Sequence, residues 1–381
     1  MKQKDFNISR RKFITHLPAG IGYAALAFSA IDIIQAQGQP APRISSRQHQ
    51  KKLGVALVGL GQYATEQLAP ALQQTQHCEL RGIVTGSPDK AERWKKKYKI
   101  QDKNVYSYQD FDTIKDNPDI DIVYVVLPNA MHAEYTIRAA KAGKHVICEK
   151  PMAVSVKECE DMIKACKDAN RLLSIGYRLH FDPFNMSMST FGTEKTYGGV
   201  KTIVAEDAQQ MEPHVWRLKK SLAGGGPVMD LGIYCVQGAL YIMGENPIAV
   251  TAQEGPKTDA SRFTDVEQSM QFQLHFANGA VANCYTSYDD QKNLLRAEAE
   301  RGWFQLQPAY PYKGIKGETS QGRLDLPNVP QQVFQMDDFA KCVVENKQSI
   351  VPGEMGLRDV KILMAIYEAA AKKQKVSLSN L

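Results

Sequence analysis

The chain contains no pair of cysteines at C-x-x-C spacing. Its seven cysteines (Cys78, Cys148, Cys159, Cys166, Cys235, Cys284, Cys342) are odd in number and scattered, mostly within apolar runs. That excludes a zinc knuckle and a dithiol redox motif, implies no disulfide framework, and makes them small side chains for a core. No apolar run reaches the ~20 residues that a membrane-spanning helix needs. Charge of one sign is scarce as well: the formal net charge is +6, and residues 1–38 alone hold five Lys or Arg against two Asp. A surplus so mild and so spread argues for neither nucleic acid nor a membrane surface as partner of the mature protein. Internal repeats and low-complexity segments are absent too. What is present is a globular composition, 43% apolar and 23% charged, in 381 residues, enough for two domains with their own cores.

Val55-Ala56-Leu57-Val58-Gly59-Leu60-Gly61-Gln62-Tyr63-Ala64 is the most informative stretch. An apolar run ends at two glycines one residue apart, with a small residue three further on where a helix would begin. This is the layout of a dinucleotide-binding turn, in which Gly59 permits the tight turn and Gly61 lets backbone approach a pyrophosphate. Ala64 would let the helix pack close while its first amides face the phosphates. Glycine pairs also close ordinary strand-to-helix turns, so context has to decide.

The context is alternation. Strands are expected at 53–58, 79–85, near Val105, 120–126, 145–148 and 172–176, with helices at Gln62–Gln74, Pro88–Tyr98, Ala130–Ala142 and Ser155–Ala169. Such alternation predicts an α/β fold, a doubly wound parallel (Rossmann) sheet over 53–176 with ligands at the carboxyl ends of its strands. At the end of the second strand no carboxylate stands where one would bind an NAD ribose. Gly86 and Ser87 are there instead, with Lys90 and Arg93 beyond, a set suited to a 2′-phosphate, so NADP is favoured; Asp89 is the feature that keeps NAD possible. The fourth strand runs into Leu127, Asn129 and His132, and the fifth into Glu149-Lys150-Pro151, all on the cofactor side.

Beyond Tyr177-Arg178 the pattern changes. Residues 270–276 alternate apolar and polar, and Asn278-Gly279 reads as a two-residue hairpin turn into Ala280–Tyr288, so a largely antiparallel sheet is expected in 177–381. One helix should span about Val228–Met243, and one or two more lie between Gln331 and Lys373. Asp230 and Tyr234, four apart, share a helix face. A carboxylate and a phenol near a lysine form a proton-transfer site; an acidic residue in a first turn and a packed tyrosine would look the same.

Upstream, Ser9-Arg10-Arg11-Lys12-Phe13-Ile14 precedes a weakly apolar segment, Leu17 to Ile31, and then Ala36-Gln37-Gly38. This resembles a twin-arginine export signal over 1–38, with a general secretory signal or an uncleaved anchor as alternatives, and implies a periplasmic protein exported already folded. A nucleotide loaded before export would have to be retained. Residues 39–52 read as a polar arm.

In order, Gly59-Leu60-Gly61, Glu149-Lys150-Pro151, Tyr177-Arg178, Trp216-Arg217-Leu218 and Gly224 to Tyr234 resemble the Gfo/Idh/MocA oxidoreductases, nearest to the branch of glucose-fructose oxidoreductase and related periplasmic aldose oxidoreductases. The resemblance implies a Rossmann domain followed by an α/β domain whose large open sheet forms oligomer contacts, in a dimer or tetramer. It implies a cofactor site of Gly59, Leu60, Gly61, Gln62, Tyr63, Ser87, Lys90, Leu127, Asn129, His132, Glu149, Lys150 and Arg178, and no metal. Lys150, Tyr234 and Asp230 would be catalytic, with Tyr234 where the family commonly has histidine. Arg178, Trp216 and Arg217 would join them around a sugar. The implied reaction oxidises a cyclic aldose at C1 to a lactone and passes the hydride to a second carbonyl sugar. An NAD-dependent glycosidase acting by transient sugar oxidation is the rival reading, and a non-catalytic sugar-binding protein a third.

Overall fold

A computed structural model of the protein describes residues 51–379 and Leu381. The expected signal at 1–38 and nearly all of the arm at 39–52 lie outside the described residues. From Lys52 to Leu381 the chain forms one compact unit.

The first sheet has six strands: β1 (Leu53–Val58), β2 (Cys78–Val84), β3 (Val105–Tyr106), β4 (Ile122–Val125), β5 (His145–Cys148) and β6 (Leu173–Ile175). Their order is β3-β2-β1-β4-β5-β6, every pair parallel. A parallel sheet is covered on both faces, which is why β1 and β4 are unbroken apolar runs buried along nearly their whole length. The order reverses between β1 and β4, and the glycine turn follows β1 at that point, where doubly wound sheets bind ligands.

The second sheet has nine strands, ordered from one edge to the other as β14 (Gly322–Arg323), β13 (Gly317–Thr319), β12 (Gly302–Leu306), β11 (Lys292–Ala299), β7 (Val200–Ala208), β10 (Val281–Ser287), β9 (Ser269–His275), β8 (Ala249–Glu254) and β15 (Val376–Ser377). At its centre β7 (Val200–Ala208) pairs parallel with β10 (Val281–Ser287) and antiparallel with β11 (Lys292–Ala299). Next to β10 lie β9 (Ser269–His275) and β8 (Ala249–Glu254), both antiparallel, so the sheet is mixed but mostly antiparallel. Helix Ile233–Met243 packs across β7. Helix Gln331–Glu345 returns to pack on β2 and on the Ala69–Leu72 turn, and Gly353–Lys372 packs on β8 and on Val156–Asp168. Because of these returns a single apolar cluster holds Val58, Val125 and Cys148 together with Ile203, Phe272 and Leu295. All seven cysteines are buried and free.

Three local expectations differ. The hairpin after β9 is not a two-residue turn on Asn278-Gly279. Gly279 N donates to the Phe276 carbonyl and Phe276 N to the Ala280 carbonyl, so Ala277 and Asn278 occupy the turn and Gly279 (φ +87°) takes the left-handed position after it. A two-residue type I′ turn would need Asn278 itself at positive φ; here its side chain instead accepts from Ala280 N at 2.9 Å. The helix after the glycine turn contains a wide π-turn, Ala64–Leu68, before its last α-turn. The third difference is a second π-turn, Val228–Gly232, at the start of the helix carrying Asp230 and Tyr234. Such widened turns occur disproportionately at functional sites.

Candidate active site

The glycine turn is set by backbone. Gly59 N donates to the Val84 carbonyl at 3.0 Å and Val126 N to the Val58 carbonyl at 2.9 Å, locking β1 between its neighbours. Gly59 has φ +98°, and a Cβ there would lie 2.7 Å from the Val126 carbonyl oxygen, so no other residue fits. At Gly61 a Cβ would meet nothing within 4 Å. The protein does not need that glycine for its own packing. Ser87 Oγ caps the Pro88–Tyr98 helix by accepting from Lys90 N, and Lys90 Nζ reaches back to the Leu60 carbonyl at 3.3 Å. The sequence-derived pair is thus brought to the turn, with the serine hydroxyl turned to capping. Gln62 is exposed beside Glu66, and Tyr63 stacks on Tyr312 at 5.6 Å and receives Gln332 Nε2 at 3.4 Å.

Leu127, Asn129 and His132 are engaged with protein. His132, 1% exposed, sets Nε2 2.9 Å from the Leu127 carbonyl and Nδ1 2.9 Å from the Pro151 carbonyl, tying the β4 end to the β5 end. Burial lowers its pKa, although both carbonyls favour the imidazolium. Asn129 Nδ2 donates to the Ala223 carbonyl at 2.8 Å. Glu149 accepts from the Tyr124 hydroxyl at 2.6 Å, and that hydroxyl from Gln335 at 2.9 Å; burial raises the carboxyl's pKa. These groups build the floor under Lys150.

Lys150 donates to the Asp230 carbonyl at 2.6 Å and to its Oδ1 at 3.3 Å, and its Nζ stands 4.4 Å above the Tyr234 ring centroid. The wide turn at 228–232 is what carries that carbonyl. Burial alone would lower the lysine's pKa, but Tyr234 and Asp230 outweigh it and hold the ammonium above its ordinary range. Asp230 Oδ2 accepts from Arg217 Nε at 2.8 Å and from the Tyr288 hydroxyl at 3.2 Å. Burial would raise its pKa; Arg217 and Lys150 reverse that and hold it at about 2. Trp216 lies under the Arg217 guanidinium at 4.6 Å. Lys150, Asp230, Tyr234 and Arg217 therefore form one cluster, with Trp216 at its edge.

Arg178 is tied to protein through its terminal nitrogens, while its Nε has no hydrogen-bond partner among the described residues. Only 3% exposed, it donates to the Tyr310 carbonyl and to Gln331 Oε1, each at 2.5 Å, and its guanidinium lies over the rings of Tyr312 (4.5 Å) and Tyr234 (5.2 Å). It fixes the tyrosines.

Sequence reasoning missed Tyr288, Tyr310, Tyr312, Gln335 and Glu267. Glu267 accepts from Gly226 N at 2.9 Å and Val228 N at 3.0 Å, capping the wide turn under Asp230. Only its position two residues before β9 could have drawn attention to it.

Residues 53–177 match the family described as an oxidoreductase family with an NAD-binding Rossmann fold (GFO/IDH/MocA), and residues 193–304 match the GFO/IDH/MocA C-terminal domain. Among solved structures, aldose-aldose oxidoreductase from Caulobacter crescentus, complexed with glycerol, is 40% identical with TM-score 0.84, covering 86% of this chain and 100% of that one. D-xylose 1-dehydrogenase [NADP(+)] of Haloarcula marismortui is 28% identical over 338 residues, 85% of this chain and 92% of that protein. A levoglucosan dehydrogenase solved with NADH and levoglucosan shares the fold at TM-score 0.74 and 23% identity, over 87% of this chain and 100% of that one. By these likenesses the chain is a sugar oxidoreductase, and it belongs to the Gfo/Idh/MocA oxidoreductase family.

Proposed function

We propose that the protein oxidises the anomeric carbon of a cyclic aldose to a lactone, and hands the hydride to a second carbonyl sugar that leaves as an alditol. The observation that carries this is the Lys150–Asp230–Tyr234 cluster beside the glycine turn. The residues fit a nicotinamide dinucleotide: Gly61 leaves room for phosphate, and the Lys90 ammonium sits at the turn. NADP is the proposed form, supported by the missing carboxylate after β2 and by the NADP(+)-dependent xylose dehydrogenase relative. When bound, the nicotinamide would accept hydride from C1 in one half-cycle and return it to a carbonyl carbon in the other.

Tyr234 is the proton carrier. Its phenolate takes the proton from the anomeric hydroxyl, and the phenol so formed gives it to the carbonyl oxygen of the second sugar, so no net proton is consumed. Lys150 holds fixed positive charge over the ring and stabilises negative charge developing on the phenol and on the substrate oxygen. Asp230 keeps Lys150 and Arg217 in place and charged. The twin-arginine pattern supports export to the periplasm with the nucleotide retained, and an alternating cycle then needs no free cofactor. A homodimer or tetramer through the open sheet completes the proposal.

Incubation of the purified protein, with no added nucleotide, tests it: aldose plus ketose should yield lactone and alditol in equal amounts. Turnover only when NADP is added would remove the closed cycle, and phenol released from an aryl glycoside without lactone would replace the reaction class.

A further inference from the structure

Strand β7 ends beneath the helix that carries Asp230 and Tyr234. Alternate residues of β7, Ile203 (1% exposed), Ala205 (0%) and Asp207 (6%), face that helix. Asp207 lies opposite Thr286 of β10 and Asn293 of β11, so three polar side chains stand in a row across the sheet. Two of them are engaged. Thr286 Oγ1 donates to the Pro227 carbonyl at 3.1 Å, and the Asn293 side-chain oxygen accepts from Ala309 N at 2.6 Å and Tyr310 N at 2.9 Å.

Asp207 is different. Among the described residues its carboxyl has neither an ion-pair nor a hydrogen-bond partner, although Lys150, Asp230 and Arg178 are close enough to act on its charge. Lys150 is committed to Asp230, and Arg178 to Tyr310 and Gln331. A buried carboxyl without a partner costs stability, and an apolar residue would fill the position at less cost. A polar ligand arriving at this point removes the discrepancy.

We propose that Asp207 contacts the sugar, donating a hydrogen bond from its neutral carboxyl to a substrate hydroxyl beside the reacting carbon. This rests on the proposed aldose oxidation and deepens it. Burial is the largest influence on Asp207; Lys150 and Arg178 oppose it, Asp230 adds to it, and the pKa is pushed up to about 8. Cys235 and Tyr310 are the other titratable groups facing it. Asp230 and Asp207 are thus two carboxyls driven apart, one ionised to hold cations and one protonated to donate.

The test compares wild type, Asp207→Asn and Asp207→Ala with D-glucose and D-xylose, measuring kcat and KM from pH 6 to 9 and checking each fold by thermal melting. Asp207→Ala should raise KM about tenfold at pH 7, the worth of one hydrogen bond, with a smaller change in kcat. Asp207→Asn keeps a donor and should recover most of that loss. Wild-type KM should climb above pH ~8 as the donor ionises, a rise absent from Asp207→Asn. Should Asp207→Ala fail to fold, this contrast in pH profile decides alone. A KM for Asp207→Ala within twofold of wild type at pH 7, or a parallel pH rise in Asp207→Asn, overturns the inference while leaving the aldose reaction standing. Wild-type protein that makes no lactone overturns both.

Discussion

At the glycine turn the protein presents backbone, and at the end of β5 it presents charge. Gly59 is confined by the Val126 carbonyl and holds the turn, and Gly61 leaves an open position where a side chain would meet nothing. Lys150 and Arg217, by contrast, are each bonded to Asp230 at 2.6–3.3 Å, with Lys150 and Asp230 largely buried. The first region is shaped to be completed by a ligand, whereas the second is already complete and holds its charges fixed before any ligand arrives. Preorganised charge of this kind needs little rearrangement during reaction, which is where electrostatic catalysis gets its strength.

The contrast breaks most visibly at the reacting groups. Lys150→Ala and Tyr234→Phe should each cut aldose oxidation by about 10²–10⁴-fold while nucleotide still co-purifies. Loss of nucleotide along with activity in either variant would mean that the two regions are not separable.

Asp230→Asn should come next. It leaves the part-buried Lys150 ammonium and the Arg217 guanidinium, whose side chain is 35% exposed, without their shared anion, at a cost of about 2 kcal/mol in equilibrium unfolding at pH 7. The pKa of Asp230, about 2, lies below its unfolded value, so its contribution is complete above pH ~4 and lost as pH falls toward 2. The gap between wild type and variant should therefore close over that acid range. A gap that stays constant would place the cost in packing instead.

Gly59→Ala and Gly61→Ala sharpen the comparison within one turn. With φ +98° and the Val126 carbonyl 2.7 Å from the added carbon, Gly59→Ala should lose about 2–3 kcal/mol of stability. Gly61→Ala, facing open space, should stay within about 0.5 kcal/mol yet bind NADP at least tenfold more weakly in titration. Equal melting temperatures for the two would contradict the distinction.

The smallest effect concerns Asp207. Its pKa of about 8 lies above the unfolded value, so between them the native state keeps a proton that the unfolded chain has lost, and stability falls as pH rises. Relative to Asp207→Asn, wild type should lose up to ~1.4 kcal/mol between pH 6 and pH 7. No change in the difference would mean that the carboxyl is ionised throughout.

Sequence carried the first sheet well, because parallel strands buried on both faces are nearly unbroken apolar runs: β1, β5 and the Pro88–Tyr98 helix have the expected bounds. Lys150, Asp230 and Tyr234 were legible through their motifs and are found together. The two π-turns were not, since an extra residue in a helical turn leaves the apolar spacing almost unchanged. Nor were Asp207, Tyr288 and Glu267, lone polar residues on strands or in loops that only the topology of the second sheet brings under Asp230. The hairpin after β9 shows a third limit: Asn-Gly names a turn, but the register of the flanking strands decides which residues occupy it.

Deuterium tracing reads the proposed cycle most directly. D-glucose labelled with deuterium at C1 is incubated with D-fructose and the purified protein, with no nucleotide added, and the alditol is weighed by mass spectrometry. One deuterium per alditol molecule, carried over without dilution, is the predicted result. Unlabelled alditol, or lactone that forms only when free NADP is supplied, would contradict it.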